Sequence, residues 1–145
     1  IVIEAGLTGH LLMSTMHSGS CSGALLRLLE MGIEPYQVTS GISTVLNQRL
    51  VRKLCPACKQ PVGDGIYRPV GCPQCHGTGY RGRVLLAEMV QLDGRLREAI
   101  LTRSDRDQLE ELLASRGHMN LLQDGRRLMR RGITTDQEIQ RVCGV

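Results

Sequence analysis

No phenylalanine or tryptophan occurs in these 145 residues, and tyrosine occurs only three times. Stacking platforms for single-stranded nucleic acid rest on aromatic faces, so that class of binder is disfavoured from the outset. Any core must be packed from Leu, Ile, Val, Met and Ala. No uninterrupted apolar run approaches the roughly 20 residues that a membrane-spanning helix needs, and the first residues do not read as a secretion leader. With neither feature, nothing points to an oxidising compartment, and cysteines are expected to work as thiols or ligands. Charge of one sign does not dominate: 18 Lys and Arg stand against 14 Asp and Glu, a mild formal +4.

Six cysteines are present, and four form two pairs, Cys55-Pro56-Ala57-Cys58 and Cys72-Pro73-Gln74-Cys75, thirteen residues apart. A C-x-x-C turn aims two thiolates at one point, and two such turns complete a tetrahedral four-cysteine shell with no open position, which is the signature of structural zinc. Two disulfides or a redox dithiol are the alternatives. A thioredoxin-like motif is a single C-x-x-C at a strand-to-helix junction, whereas these are paired and flanked by loop residues. The segment 55–83 is therefore expected to be a metal-stapled lobe holding Zn2+ through Cys55, Cys58, Cys72 and Cys75. Cys21 and Cys143 sit in helix-like apolar stretches and read as small buried or half-buried side chains. Arg49, Arg52, Lys53, Arg81 and Arg83 flank the lobe and could form a positive patch for phosphate or an acidic partner.

Along the chain, Ile1–Ala5 is apolar and runs on without a start signal, as though cut from a longer polypeptide. His10–Met16 reads as a buried strand of a parallel sheet. Ser20–Met31 has helical periodicity, with Leu25, Leu28 and Leu29 on one face and Gly32 as the stop. A second helix is expected from Pro35 to about Leu46, a strand from Asn47 to Leu54, and a returning strand from Val84 to Leu92, so the lobe is an excursion between two core elements. Three short helices follow. Ser104 with Asp107, and Thr135 with Glu138, have capping-box spacing. Ten aliphatic residues, among them Leu109, Leu113, Leu121, Leu128 and Ile139, are expected to form the core of this tail.

Thr8-Gly9-His10-Leu11-Leu12-Met13-Ser14-Thr15-Met16-His17 places histidines at the two ends of the expected strand, where His17 would lie at the ligand-binding edge of an open α/β sheet. Alone, such a histidine is more often a hydrogen-bonded structural residue. The order of parts carries more. That strand is followed by a helix reading RLLEMGIEP, then QRLVRKLC, the two cysteine pairs, Gly79-Tyr80-Arg81-Gly82-Arg83, and Gly132-Ile133-Thr134-Thr135.

Together these parts resemble, along the whole chain, the carboxyl-terminal part of a secretion ATPase of the type II secretion and type IV pilus assembly class. The resemblance implies an α/β fold: half of a RecA-like P-loop ATPase domain over 1–54, a four-cysteine zinc-binding insertion over 55–83, and a returning strand with a helical subdomain over 84–145. It implies a hexameric motor using ATP and Mg2+ for protein transport, at the cytoplasmic face of the inner membrane beside the membrane components of its apparatus. It puts His17 near the nucleotide's terminal phosphate, with His10 as the second histidine of that box and Arg83 near the nucleotide. The chain departs from the family in two respects. It contains no G-x-x-x-x-G-K-[ST], so this chain alone is not expected to hydrolyse ATP, and Ser18-Gly19-Ser20-Cys21 follows His17 where the family usually has a Thr-Asn-Asp-like run.

Two other classes remain open. A zinc-ribbon nucleic-acid binder would also join a four-cysteine lobe to arginines, but the scarcity of aromatics argues against it and no nucleic acid is expected. A chaperone-type cysteine-rich module would repeat C-x-x-C-x-G-x-G, which fits Cys72–Gly79 once and fails after Cys58, where Lys59-Gln60-Pro61 follows.

Overall fold

The structure is a computed structural model that describes Gly6 and residues 9–144. The apolar opening at Ile1–Ala5, and Thr8 of the histidine segment, lie outside the described residues. The chain folds into two compact units, one running up to Asn47 and resuming over Glu88–Met119, the other comprising Gln48–Ala87 and the residues from Asn120 onward. The segment 84–145, expected as one returning strand with its helical subdomain, is thus shared between the two units.

The first unit is mainly helical. Helix α1 (Cys21–Glu30) starts where Ser20 Oγ accepts the Gly23 N–H at 3.0 Å, and α2 (Pro35–Gly41) opens on Pro35, whose missing N–H costs a first turn nothing. After strand β1 (Thr44–Leu54) has passed on to the second unit and β4 (Tyr80–Gln91) has returned, α3 (Gly94–Leu101) and α4 (Arg106–Ser115) complete it. Its core is aliphatic, as the missing aromatics require: Leu25, Val38, Val90, Leu96, Ile100 and Leu109 are buried together with Cys21.

The second unit holds the rest of β1 and β4, the small antiparallel pair β2 (Gln60–Gly63) and β3 (Ile66–Arg68), a 3-10 turn at Pro73–Cys75, and helices α5 (Leu121–Arg130) and α6 (Asp136–Cys143). Val51, Leu86, Leu121 and Leu128 form its core, with Val142 and Cys143 half-buried against it. Strands β1 and β4 form a two-stranded sheet. Its ladder is bounded by Leu92 N–H to Ser43 O at one end and Cys55 N–H to Gly79 O at the other, both 2.9 Å, so the strands run antiparallel.

Several expectations are corrected. His10–Met16 is not a buried strand: the segment is extended and exposed, with Leu11 at 93% and Met13 at 96%. A strand exists only by pairing, and among the described residues both sheets are built elsewhere. Helix α2 ends at Gly41 and not near Leu46, because Ile42 turns extended (φ −111°, ψ 125°) and the β-branched Ile42, Thr44 and Val45 lead into β1. Four helices follow β4, not three, since Asp93 caps an extra one by accepting the Leu96 N–H. Ser104 is not the cap of α4. Asp105 is, and it exchanges hydrogen bonds with Gln108 at 2.9 and 3.0 Å.

One contact between the last two helices sets a test. A Cβ on Gly125 in α5 would lie 2.9 Å from Cγ2 of the fully buried Ile139 in α6. Gly125→Ala gains about 1 kcal/mol of helix propensity but forces a β-branched neighbour out of place at a cost of about 1–3 kcal/mol. The expected outcome is a lower denaturant midpoint with unchanged secondary structure. A stabilised variant would show that the two helices pack less closely than described.

Candidate metal centre and its surroundings

The two C-x-x-C turns converge. The sulfurs of Cys55, Cys58, Cys72 and Cys75 all lie within 4.8 Å of one another, with Cys55 to Cys72 at 3.9 Å, Cys58 to Cys75 at 3.8 Å and Cys72 to Cys75 at 3.7 Å. Four sulfurs at tetrahedral corners about a zinc ion, each bonded at about 2.3 Å, stand about 3.8 Å apart. The cluster therefore has the size of a tetrathiolate cage, and none of the four is in a disulfide. His10 and His17 are not part of this group.

Backbone geometry prepares one of these sulfurs, that of Cys75, to be anionic. Cys75 Sγ accepts N–H bonds from Cys72 and Gly79, each 3.2 Å. Burial opposes ionisation of Cys75, but these N–H groups and the neighbouring thiols outweigh it and bring its pKa down to about 6. Cys58 is pushed the other way, up to about 11, by burial and by the thiols that would have to share its charge. One thiolate forms easily and the next resists, as coupled acids do, and a dication at the centre removes that resistance. Gly71 is required here: its φ is +108°, and a Cβ would stand 2.5 Å from Gly77 O.

The lobe is tied to the tail of the chain by polar contacts within the same unit. Leu54 N–H, just before the first cysteine, donates to Ile133 O at 2.8 Å, and Thr134 Oγ1 donates to Arg52 O at 2.9 Å. Lys59, just after Cys58, donates to Gly132 O at 2.7 Å and lies over the Tyr67 ring at 4.4 Å. Tyr80 and Thr135 share a hydroxyl–hydroxyl bond of 2.9 Å.

At the centre of this contact is Glu138, whose carboxylate is fully buried. It accepts from Arg141 Nε and Nη2 at 2.9 and 2.6 Å, from the Arg52 side chain at 2.7 Å and from the Arg52 backbone N–H at 3.0 Å. Arg52 also stacks over Tyr80 at 4.3 Å. The Arg141 guanidinium first, and Arg52 with it, hold the Glu138 carboxyl far below the usual carboxylate range despite its burial. Sequence spacing identifies the Thr135–Glu138 pair only as a cap. Thr135 Oγ1 does accept the Glu138 N–H at 3.2 Å, but the Glu138 side chain reaches across 86 positions to Arg52.

A second buried carboxylate organises the first unit. Glu88 accepts from Cys21 N–H and Asn47 Nδ2, both at 3.2 Å, and its other oxygen lies 3.1 Å from His118 Nε2. Cys21 is fully buried, its thiol pushed up to about 12 first by burial and then by the Glu88 charge. That agrees with the expectation of an inert packing residue. His118 and Glu88 lie 30 positions apart with no motif to link them.

With this geometry in place, comparison with known proteins decides the family. The model of the family described as "Type II/IV secretion system protein" matches residues 1–141. The chain belongs to that family. It is 39% identical to "Type II secretion system protein E" of Pseudomonas aeruginosa and 38% identical to "Type II secretion system ATPase E" of Vibrio cholerae, with 98% of this chain covered in each case. It spans only about a third of their length, 31% in each. Among solved structures it shares its fold with the Legionella pneumophila ATPase DotB, at a TM-score of 0.62 and 19% identity over 95% of this chain and 33% of that one.

The remaining sequence-derived candidates are not members of the four-cysteine group. His10 and His17 are exposed on the extended segment before α1, where the His17 carbonyl accepts from Arg27 Nη1 at 3.0 Å. Arg83 is exposed on β4, in the second unit.

Glu138 titrates with a defined sign. Its folded pKa lies below the unfolded value near 4.5, so its stabilisation is complete above that value and is lost as pH falls toward the folded pKa. Glu138→Gln is expected to cost about 1–3 kcal/mol near neutrality and to flatten the acid limb of the stability profile. The cost is at the lower end for a buried pair because both arginines are half exposed, at 46% and 56%, and can turn to water. Chemical denaturation from neutral to acid pH reads both effects. A variant that keeps the full acid slope would show that Glu138 is not its source.

Proposed function

We propose that this chain is the carboxyl-terminal segment of a motor ATPase of the type II secretion and type IV pilus assembly class, built on one half of a RecA-like domain and carrying a structural zinc site. The observation that carries this reading is the match of nearly the whole chain to relatives named as type II secretion proteins, one of them as the ATPase. The converging tetrathiolate at the expected place in the chain supports it independently. In this reading the whole protein works as a hexamer that uses ATP and Mg2+ for protein transport, on the cytoplasmic face of the inner membrane, alongside the apparatus's membrane components. No helix among the described residues is long and apolar enough to cross a membrane, which fits a peripheral position.

Zn2+ is held by Cys55, Cys58, Cys72 and Cys75. Four soft thiolates within 4.8 Å of one another, three of their pairs at 3.7–3.9 Å, suit it, and it supplies a structural crosslink, not a reactive centre. His17 faces the terminal phosphate of the nucleotide and donates a hydrogen bond to the charge that develops during transfer, with His10 completing the histidine box. Arg83 offsets nucleotide charge. Support for His17 is its availability: the imidazole is exposed and makes no hydrogen bond among the described residues, while its backbone is tied to α1 through Arg27.

His17→Ala in the full-length protein tests the assignment. Loss of one well-placed donor to a developing charge typically costs about 10²–10³ in rate. The expected outcome is an ATP turnover reduced by that factor with an unchanged melting temperature, since the side chain is exposed. Unchanged turnover would remove His17 from the site. Turnover that falls only together with stability would make it a packing residue.

A further inference from the structure

The loop from His17 to the start of α1 is held by hydrogen bonds rather than by packing at its centre. Gly19 brings no side chain, and nothing lies within 4 Å of where a Cβ on it would stand. The backbone is instead fastened at successive points by other residues of the first unit. Arg27 Nη1 donates to His17 O at 3.0 Å, Asn47 Nδ2 to Gly19 O at 2.9 Å, and the Cys21 N–H to Glu88 Oε2 at 3.2 Å. Ser22 Oγ closes the series on Glu110 Oε1 at 3.0 Å.

Two of these holds converge on one carboxylate. The Asn47 amide nitrogen, with two hydrogens to give, also reaches Glu88 Oε2 at 3.2 Å and so joins the Gly19 carbonyl to β4. The Glu88 side chain is only 5% exposed, and its other oxygen lies 3.1 Å from His118 Nε2. A carboxylate taken out of water is costly, and at Glu88 that cost is offset by contacts from three segments: the start of α1, β1 and the loop after α4. The Cys21 thiol adds a bond to the Glu88 carbonyl at 3.4 Å. Capping of α1 does not require this arrangement, because Ser20 already accepts the Gly23 N–H.

We propose that Asn47 and Glu88 are positioning residues for His17, fixing through Gly19 O and the Cys21 N–H the loop that carries it. The inference rests on the assignment of His17 to the nucleotide site. The His17 imidazole is exposed and makes no hydrogen bond among the described residues, so its place is set by its backbone alone. A group displaced by about 1 Å from a reacting centre can cost on the order of 10²-fold in rate, which makes the fastening of this loop a determinant of turnover.

The test uses the full-length protein, with steady-state ATP hydrolysis and melting temperature measured for each variant. Asn47→Ala is expected to lower kcat about tenfold while KM for ATP changes less than about twofold, because the loop sets the geometry of transfer and not the hold on the nucleotide. Glu88→Ala is expected to act in the same direction. Glu88→Gln is expected to keep kcat within about threefold of the parent, since an amide oxygen of equal reach accepts from Cys21 and Asn47. Asn47 is only half-buried, so its truncation carries the test even where Glu88→Ala fails to fold. Combination with His17→Ala decides the route: a residue that acts through His17 costs nothing further once that imidazole is gone. A kcat that Asn47→Ala leaves unchanged, or lowers by the same factor with and without His17, overturns the inference while the assignment of His17 stands. Unchanged turnover in His17→Ala alone overturns both.

Discussion

Four sulfur atoms gathered within 4.8 Å of one another, three of their pairs at 3.7–3.9 Å, are the constraint on which the second unit depends. Neutral thiols gain little from such an approach, and four thiolates without a counter-charge would repel each other strongly. A dication makes the same arrangement favourable, and structural zinc in sites of this kind contributes on the order of 10 kcal/mol of apparent binding free energy. The lobe has few other means of support. Strands β2 and β3 are four and three residues long and mostly exposed, and an isolated pair of that size is marginal in water.

From the cage the order propagates through named contacts. Leu54 and Lys59 bracket the first cysteine turn, and both bond to the backbone of 132–133, the loop between α5 and α6. Arg52, two residues before Leu54, is held by Glu138 on α6 and by Tyr80 at the start of β4. The helices of the tail and the metal lobe thus share one polar seam, and its one fully buried carboxylate is satisfied by four donors. Replacing aromatic mass with such a seam suits a chain without Phe or Trp, whose core in this unit is only a few aliphatic residues.

What could be read from residues alone follows the range of the signal. The C-x-x-C turns are legible because each carries its geometry within four residues, and the helix over 20–31 because its period and its Gly32 stop are local. Arg52–Glu138 and Glu88–His118 are not, since each joins residues 86 or 30 positions apart whose types have many other uses. The apolar run at His10–Met16 misleads for a related reason. Hydrophobicity states that a segment favours burial, but the strand it would form requires a partner that the segment does not contain. The family resemblance, carried by the order of the motifs, agrees with the comparisons because order along a chain survives where individual contacts cannot be inferred.

The claim on which most else rests is that a metal at the four cysteines holds the second unit together. The most direct measurement is metal content of the purified protein combined with counting of alkylatable thiols, before and after chelation, with the melting transition followed in parallel. The expected result is one zinc per chain, with Cys55, Cys58, Cys72 and Cys75 protected until the metal is removed, and then loss of the transition of the second unit. A metal-free protein that is fully folded with those four thiols freely alkylated would contradict it.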